Sequence, residues 1–203
     1  MNLTAYDPDR LWMKARLFIN RALDGREFEE AAFWASASLE LLGKAALANI
    51  SPLLIANPND DGKSFMIASG ITEDRGLFSS VQAKAIWSRC QRAFKPFNEL
   101  EAAKISSARN DYLHAAGVGF DKLPPEHWWP RYWAQATILI SHLDKDISDF
   151  VGPSREDQVR EHLKRNEEHL AARLEALLER ARQRIICIPH LMSSSRVARC
   201  GFR

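Results

Sequence analysis

E-F-E-E-A-A-F-W-A-S-A-S-L-E-L-L-G-K-A-A-L-A-N, residues 27–49, carries the clearest statement of the fold in this chain. Phe28, Ala32, Ala35, Leu39, Leu42 and Ala46 recur at three- and four-residue steps, which at about 3.6 residues per turn gathers them on one side of a helix. That spacing commits the face to a core. The same period continues on both sides of the stretch, and no convincing strand pattern competes with it. Upstream, a helix is expected over about 7–24, with Asp7 as N-cap, Pro8 at the first helical position and Leu11, Ala15, Phe18 and Ala22 as its stripe. Gly25 breaks it. Downstream, Ser51-Pro52 starts a short further turn, and residues 57–76, with N-P-N-D-D-G-K and two more glycines, read as a long ordered or partly ordered excursion.

A third helix comes next, with a capping box of Ser79 and Gln82 and a stripe of Ala83, Trp87, Cys90 and Phe94, so Cys90 reads as core. The fourth starts at Asn98 with Glu101 completing its box, carries Ile105, Ala108, Tyr112 and Ala115 on its apolar side and ends at Gly117. After Pro124-Pro125, the fifth presents Trp129, Tyr132, Trp133, Ala136, Leu139, Leu143, Ile147 and Phe150 as one continuous seam and is expected to be the main core helix. Gly152-Pro153-Ser154 is the one good boundary. Beyond it Leu163, Leu170, Leu174, Leu177, Ala181 and Ile185 recur at near-heptad spacing among many charges, which implies a long exposed helix. Packing on its own bundle and service as a coiled-coil arm for a partner remain equal readings. The expected organisation is a helical domain over 1–151, an extended charged helix over 152–186 and a basic tail over 187–203, either disordered or a degenerate metal knuckle.

Composition narrows the class. A chain of 203 residues holds one well-packed domain plus an extension, and 46% hydrophobic with 27% charged residues is ordinary for a soluble globular protein. No apolar run approaches the roughly 20 residues a membrane span needs. The start, M-N-L-T-A-Y-D-P-D-R, has no basic segment followed by an apolar one, and Cys90, Cys187 and Cys200 form an odd, irregular set. A cytoplasmic, reduced protein without a disulfide framework is expected. The net charge of +2 does not announce a nucleic-acid binder, although Arg184, Arg196, Arg199 and Arg203 make the tail basic.

Chemistry concentrates in R-N-D-Y-L-H, residues 109–114. Set against the stripe of Ile105, Ala108, Tyr112 and Ala115, Asn110 and His114 share the face turned away from that stripe, with Arg109 on the flank. Arg109 and His114 are five residues apart, so on one helix they point in different directions. A second copy of the helix across a two-fold axis would close the site, which leads to the expectation of a homodimer. A histidine near neutrality takes a proton from a ribose 2′-hydroxyl, and a guanidinium holds phosphate oxygens as charge builds, with no metal needed. Asn110 is a candidate to orient the imidazole and Asp111 to raise its pKa. The other account of Arg109 and His114 is that cations at a helix C-terminus are favoured by the helix dipole.

Arg109-Asn110, three variable residues and His114 resemble the R-polar-x-x-x-H signature of the HEPN superfamily. The run A-A-F-W-A-S-A-S-L-E-L-L-G-K-A-A-L-A (31–48) is similar to that family's early helix, S-P-L-L-I-A (51–56) to the segment after that helix, and W-W-P-R-Y-W (128–133) to its aromatic-rich final helix, so the likeness spans about 8–150. The resemblance implies an all-α HEPN-like bundle that dimerises through the motif helices and acts as a metal-independent endoribonuclease leaving a 2′,3′-cyclic phosphate, often as a toxin or phage-defence effector. It implies that Arg109 binds the phosphate, His114 acts as acid or base and Asn110 fills the polar second position. RNA is then the substrate, no cofactor is required, and an antitoxin or defence-system partner would use the C-terminal helix. Tyr112 is the one tyrosine near the motif for a partner to modify, and its place on the expected core stripe argues against that. Glu40 stands where some relatives keep a supporting polar residue, while Lys44, one turn on, offers an ordinary ion pair instead. Where some relatives carry a zinc knuckle, only Cys187, His190 and Cys200 stand, short of the four ligands of a structural zinc site, so no metal is expected. The alternative function is a non-catalytic HEPN binding or scaffold module in a partner complex.

Overall fold

The computed structural model describes residues 5–73, 76–114, 124–167 and 178, with 108–114 described by backbone alone. Its helices are α1 (Pro8–Ala22), α2 (Phe28–Ile50), α3 (Lys63–Ala68), α4 (Ala83–Ala93), α5 (Glu99–His114), α6 (Pro125–Ser141) and α7 (Ile147–Val151), with single 3-10 turns at Pro52–Leu54 and Pro153–Arg155. Residues 156–167 are helical as well. Among the described residues there is no strand, only one isolated antiparallel bridge, Ala56 to Ser80, so the class is all-α. The chain divides into one compact unit over Met1–Leu163 and a second over Lys164–Arg203, and α1 to α7 all lie in the first. That unit extends past the boundary expected at 152, because Val159 is buried and Leu163 packs against the same core. The expected stripe from Leu170 to Ile185, the basic tail and the Cys187, His190 and Cys200 set lie outside the described residues.

α2 is the central element, touched by α1, α4, α5 and α6. Ala32, Ala35, Leu39, Leu42 and Ala46 are buried as their spacing requires, and Phe28 is half-buried. α1 starts as expected: the Asp7 carboxylate accepts the Arg10 N–H at 3.0 Å and Pro8 opens the helix. Its buried stripe differs, being Trp12, Ala15, Ile19 and Ala22, with Leu11 and Phe18 only partly covered. Both sets satisfy the helical period and share Ala15 and Ala22, so the spacing could not choose between them. The larger apolar surface of Trp12, packed on Phe150 at 5.0 Å between ring centroids, accounts for the choice.

Gly43 sets how closely α4 approaches α2. A Cβ there would lie 3.0 Å from Ile86 Cγ2, 3.2 Å from the Trp87 ring and 3.4 Å from Cys90 Sγ, all buried atoms. Trp87, Cys90 and Phe94 face the core as read from the sequence. The capping box of Ser79 and Gln82 does not form: Gln82 is the N-cap of α4 without a side-chain bond. Ser79 is held in the bridge region instead, its carbonyl accepting Asn57 N–H at 2.9 Å and its own N–H donating to Ser64 Oγ at 2.9 Å. The 57–76 excursion is thus pinned at its base, contains α3, and is tied to the N-terminus by the Tyr6 hydroxyl donating to the Ile67 carbonyl at 3.2 Å.

The seam expected to run unbroken from Trp129 to Phe150 is two helices. Asp144 adopts a left-handed conformation (φ 54°), which an α-helix cannot contain, and α7 restarts with the Asp149 carboxylate accepting the Asp146 N–H at 3.0 Å. Leu139, Leu143 and Phe150 still reach the core because the break turns the chain without moving it off the bundle. Trp128, absent from the expected seam, is fully buried, whereas Trp129 is partly covered. The far end of the unit is fastened by Arg155, which donates to Asn20 Oδ1 at 2.8 Å and pairs with Asp24 at 2.6 Å.

Candidate functional site

The motif helix α5 is anchored at its start by three different elements. Asn98 caps it, its Oδ1 accepting the N–H groups of Leu100 at 2.9 Å and Glu101 at 3.1 Å. The reciprocal half of the box comes from α6, not from Glu101: Gln135 Oε1 accepts the Asn98 N–H at 2.8 Å, and Gln91 Oε1 on α4 accepts the Glu99 N–H at 2.9 Å. Glu101 pairs with Lys104 at 2.9 Å and with Arg131 of α6 at 3.4 Å. An acceptor on a long side chain is worth most where water is excluded, which favours Gln135, itself buried.

Ser36 of α2 fixes the middle of α5. Its buried hydroxyl donates to the Ile105 carbonyl at 3.0 Å, the acceptor that in an α-helix also takes the amide of residue 109. Because α5 leaves the α4 end, where Cys90 lies against Gly43, and reaches Ser36 at Ile105, it runs antiparallel to α2 and carries its backbone on toward the Phe33 end. Ala102, Ile105 and Ser106 are its buried positions. Of the expected line of Ile105, Ala108, Tyr112 and Ala115, Ile105 is the position whose side chain is described, and it is buried. At about 100° per residue the positions of Arg109 and His114 diverge by about 140° around the helix.

Arg109, Asn110, Asp111 and His114 occupy one continuous helical backbone; their side chains, with those of Ala108 and Tyr112, lie outside the described residues, as do Ala115 and the helix stop at Gly117. Glu40 is partly buried, with Lys44 Nζ 2.7 Å from its carboxylate. Among the described residues no group of three or more His, Cys, Asp or Glu is arranged to hold a metal ion, and no helix is long and apolar enough to cross a membrane.

Two features of the bundle carry no signal in the spacing of any one helix. On the inner side of α5, Ser106 Oγ, Trp128 Nε1, Tyr132 hydroxyl and Trp133 Nε1 are buried with no hydrogen-bond partner among the described residues, and burial pushes the Tyr132 phenol pKa up. At the α1–α2 seam, Phe33 and Trp34 of α2 and Phe18 of α1 form a part-exposed aromatic cluster, with the Trp34 centroid 5.1 Å from Phe18 and 5.3 Å from Phe33. The Arg21 guanidinium lies 5.1 Å from the Trp34 ring and Lys14 Nζ 5.8 Å from Phe18. Two adjacent aromatics off the α2 stripe were the available signal. Comparison of the chain with protein-family models, curated proteins and solved structures finds no match.

Proposed function

We propose that this chain is a metal-independent endoribonuclease of HEPN type, a HEPN-like bundle with a long charged C-terminal helix, acting in the cytoplasm as a toxin or phage-defence effector. The observation that carries the reading is the R-N-D-Y-L-H hexad at 109–114, borne on a helix whose preceding turn is held by the buried Ser36 to Ile105 bond. In the proposed reaction His114 accepts the 2′-hydroxyl proton, O2′ attacks the adjacent phosphorus, and the bond to the 5′-oxygen breaks. The leaving oxygen takes up a proton, giving a 2′,3′-cyclic phosphate and a 5′-hydroxyl. Arg109 holds the non-bridging oxygens as charge builds, and Asn110 orients the imidazole. Since the helix positions of Arg109 and His114 diverge, two copies of α5 across a two-fold axis supply the converging groups. The C-terminal helix is the surface proposed for an antitoxin or defence-system partner.

The test is cleavage of a single-stranded RNA by the purified chain in the presence of EDTA, with the product termini analysed. His114→Ala and Arg109→Ala should each lower the rate by about 10²–10⁴-fold while leaving far-UV circular dichroism unchanged. Expression of the native chain, but not of either variant, should arrest growth. Undiminished cleavage by the His114 variant removes the reading.

A further inference from the structure

The α1–α2 surface carries a second set of groups suited to RNA. Arg10, Lys14, Arg16 and Arg21 are all exposed on α1, and none makes an ion pair with a carboxylate among the described residues. Nearby acids are largely committed: Glu30 accepts from Trp34 Nε1 at 3.2 Å and pairs with Arg26, Asp9 lies 3.9 Å from Lys145, and Asp24 holds Arg155. Glu30 is the acid nearest the strip, bonded to Trp34 itself, and its charge is shared with Arg26. Phe18, Phe33 and Trp34 are each only partly covered; Trp34 meets Phe18 edge to face at 70° across the α1–α2 seam and Phe33 at 77° along α2, with Arg21 beside Trp34 and Lys14 beside Phe18.

Cations without carboxylate partners, interleaved with aromatic rings, match a chain of phosphates interleaved with bases. Unpaired bases offer free π-faces to stack, which duplex bases do not, and a guanidinium beside an indole adds both charge and a stacking plane. The strip also leads to the proposed site. Ser38 ties one flank of α2 to α1 through the Ala15 carbonyl at 2.8 Å, Ser36 ties the other to Ile105 at 3.0 Å, and Phe33 and Trp34 lie toward the end of α2 that the α5 backbone approaches.

We propose that Phe18, Phe33 and Trp34, with Lys14 and Arg21, form a stacking and phosphate-binding track for an unpaired RNA strand. The proposal deepens the ribonuclease reading and takes the identity of its ligand from it. The probe is a fluorescein-labelled single-stranded oligouridine, alone and annealed to oligoadenine, bound to the full chain carrying His114→Ala and followed by anisotropy over a salt series. Trp34→Ala should weaken single-strand binding roughly tenfold or more, and Trp34→Phe, which keeps a ring, should restore most of it. Lys14→Gln and Arg21→Gln, both at exposed positions, should each reduce the slope of log affinity against log salt by about 0.7. Equal affinity for the duplex, or loss of affinity in the charge variants with none in Trp34→Ala, overturns the track.

Cleavage is assayed separately with His114 intact. Retained cleavage alongside Trp34-independent binding removes the track and leaves the ribonuclease. Trp34-dependent binding alongside cleavage that ignores His114 does the reverse. No RNA binding at low salt overturns both.

Discussion

Cys90 shows how little of a residue's chemistry is its own. Its sulfur lies 3.8 Å from the Gly43 carbonyl in the seam between α2 and α4, and desolvation pushes the thiol pKa up to about 12 from 9.0. A thiolate is therefore suppressed, and the side chain behaves as a small apolar group. The unfolded thiol ionises above its ordinary pKa while the folded one stays protonated, so the unfolded state binds fewer protons and stability falls as pH rises from 9.0 toward about 12. The slope cannot exceed ~1.4 kcal/mol per pH unit for one group. Denaturant unfolding of the native chain and Cys90→Ala across that range should show the native chain losing stability more steeply; parallel curves would refute the burial account. At Gly43, by contrast, the missing side chain matters. Val there would force three buried neighbours apart and should lower stability by about 1–3 kcal/mol in the same measurement.

Among elements, α5 is the one whose placement depends most on others. Its N-terminal amide is received by Gln135 from α6, its next by Gln91 from α4, and its middle carbonyl by Ser36 from α2. Replacing Gln135 with Leu keeps the apolar stem but leaves the part-buried Asn98 N–H unpaired, a loss of about 1–3 kcal/mol. The same variant should loosen α5 before it unfolds the bundle, read as faster amide exchange over Glu99–Ile105 than over α2. Uniform acceleration across both helices would mean that Gln135 supports the whole core equally. The Asn98 cap was legible because a cap is a local bond between neighbours in sequence. Its supporting acceptor was not, since Glu101 and Gln135 are both suitable groups and only the packing of α5 on α6 brings one to the amide.

For the molecule as a whole, the separation between Arg109 and His114 makes the proposed chemistry a property of two chains. Sedimentation should give a dimer at assay concentrations, and a chain that remains strictly monomeric while binding RNA would count against both the mechanism and its geometry.

Sequence alone established the all-α class, the core face of residues 27–49, the Asp7-Pro8 start of α1 and the core face of α4. Each of these depends on periodicity or on bonds spanning a few residues, which survive translation into one dimension. Packing in three dimensions settled the rest: that Trp12 and Ile19 rather than Leu11 and Phe18 face inward, that the last seam breaks at Asp144, and that Phe18, Phe33 and Trp34 meet Arg21 at the surface. One cause underlies all three. Two helical frames with equal periodicity differ only in what the neighbouring helix presents, and a cluster drawn from two helices has no spacing of its own until they pack.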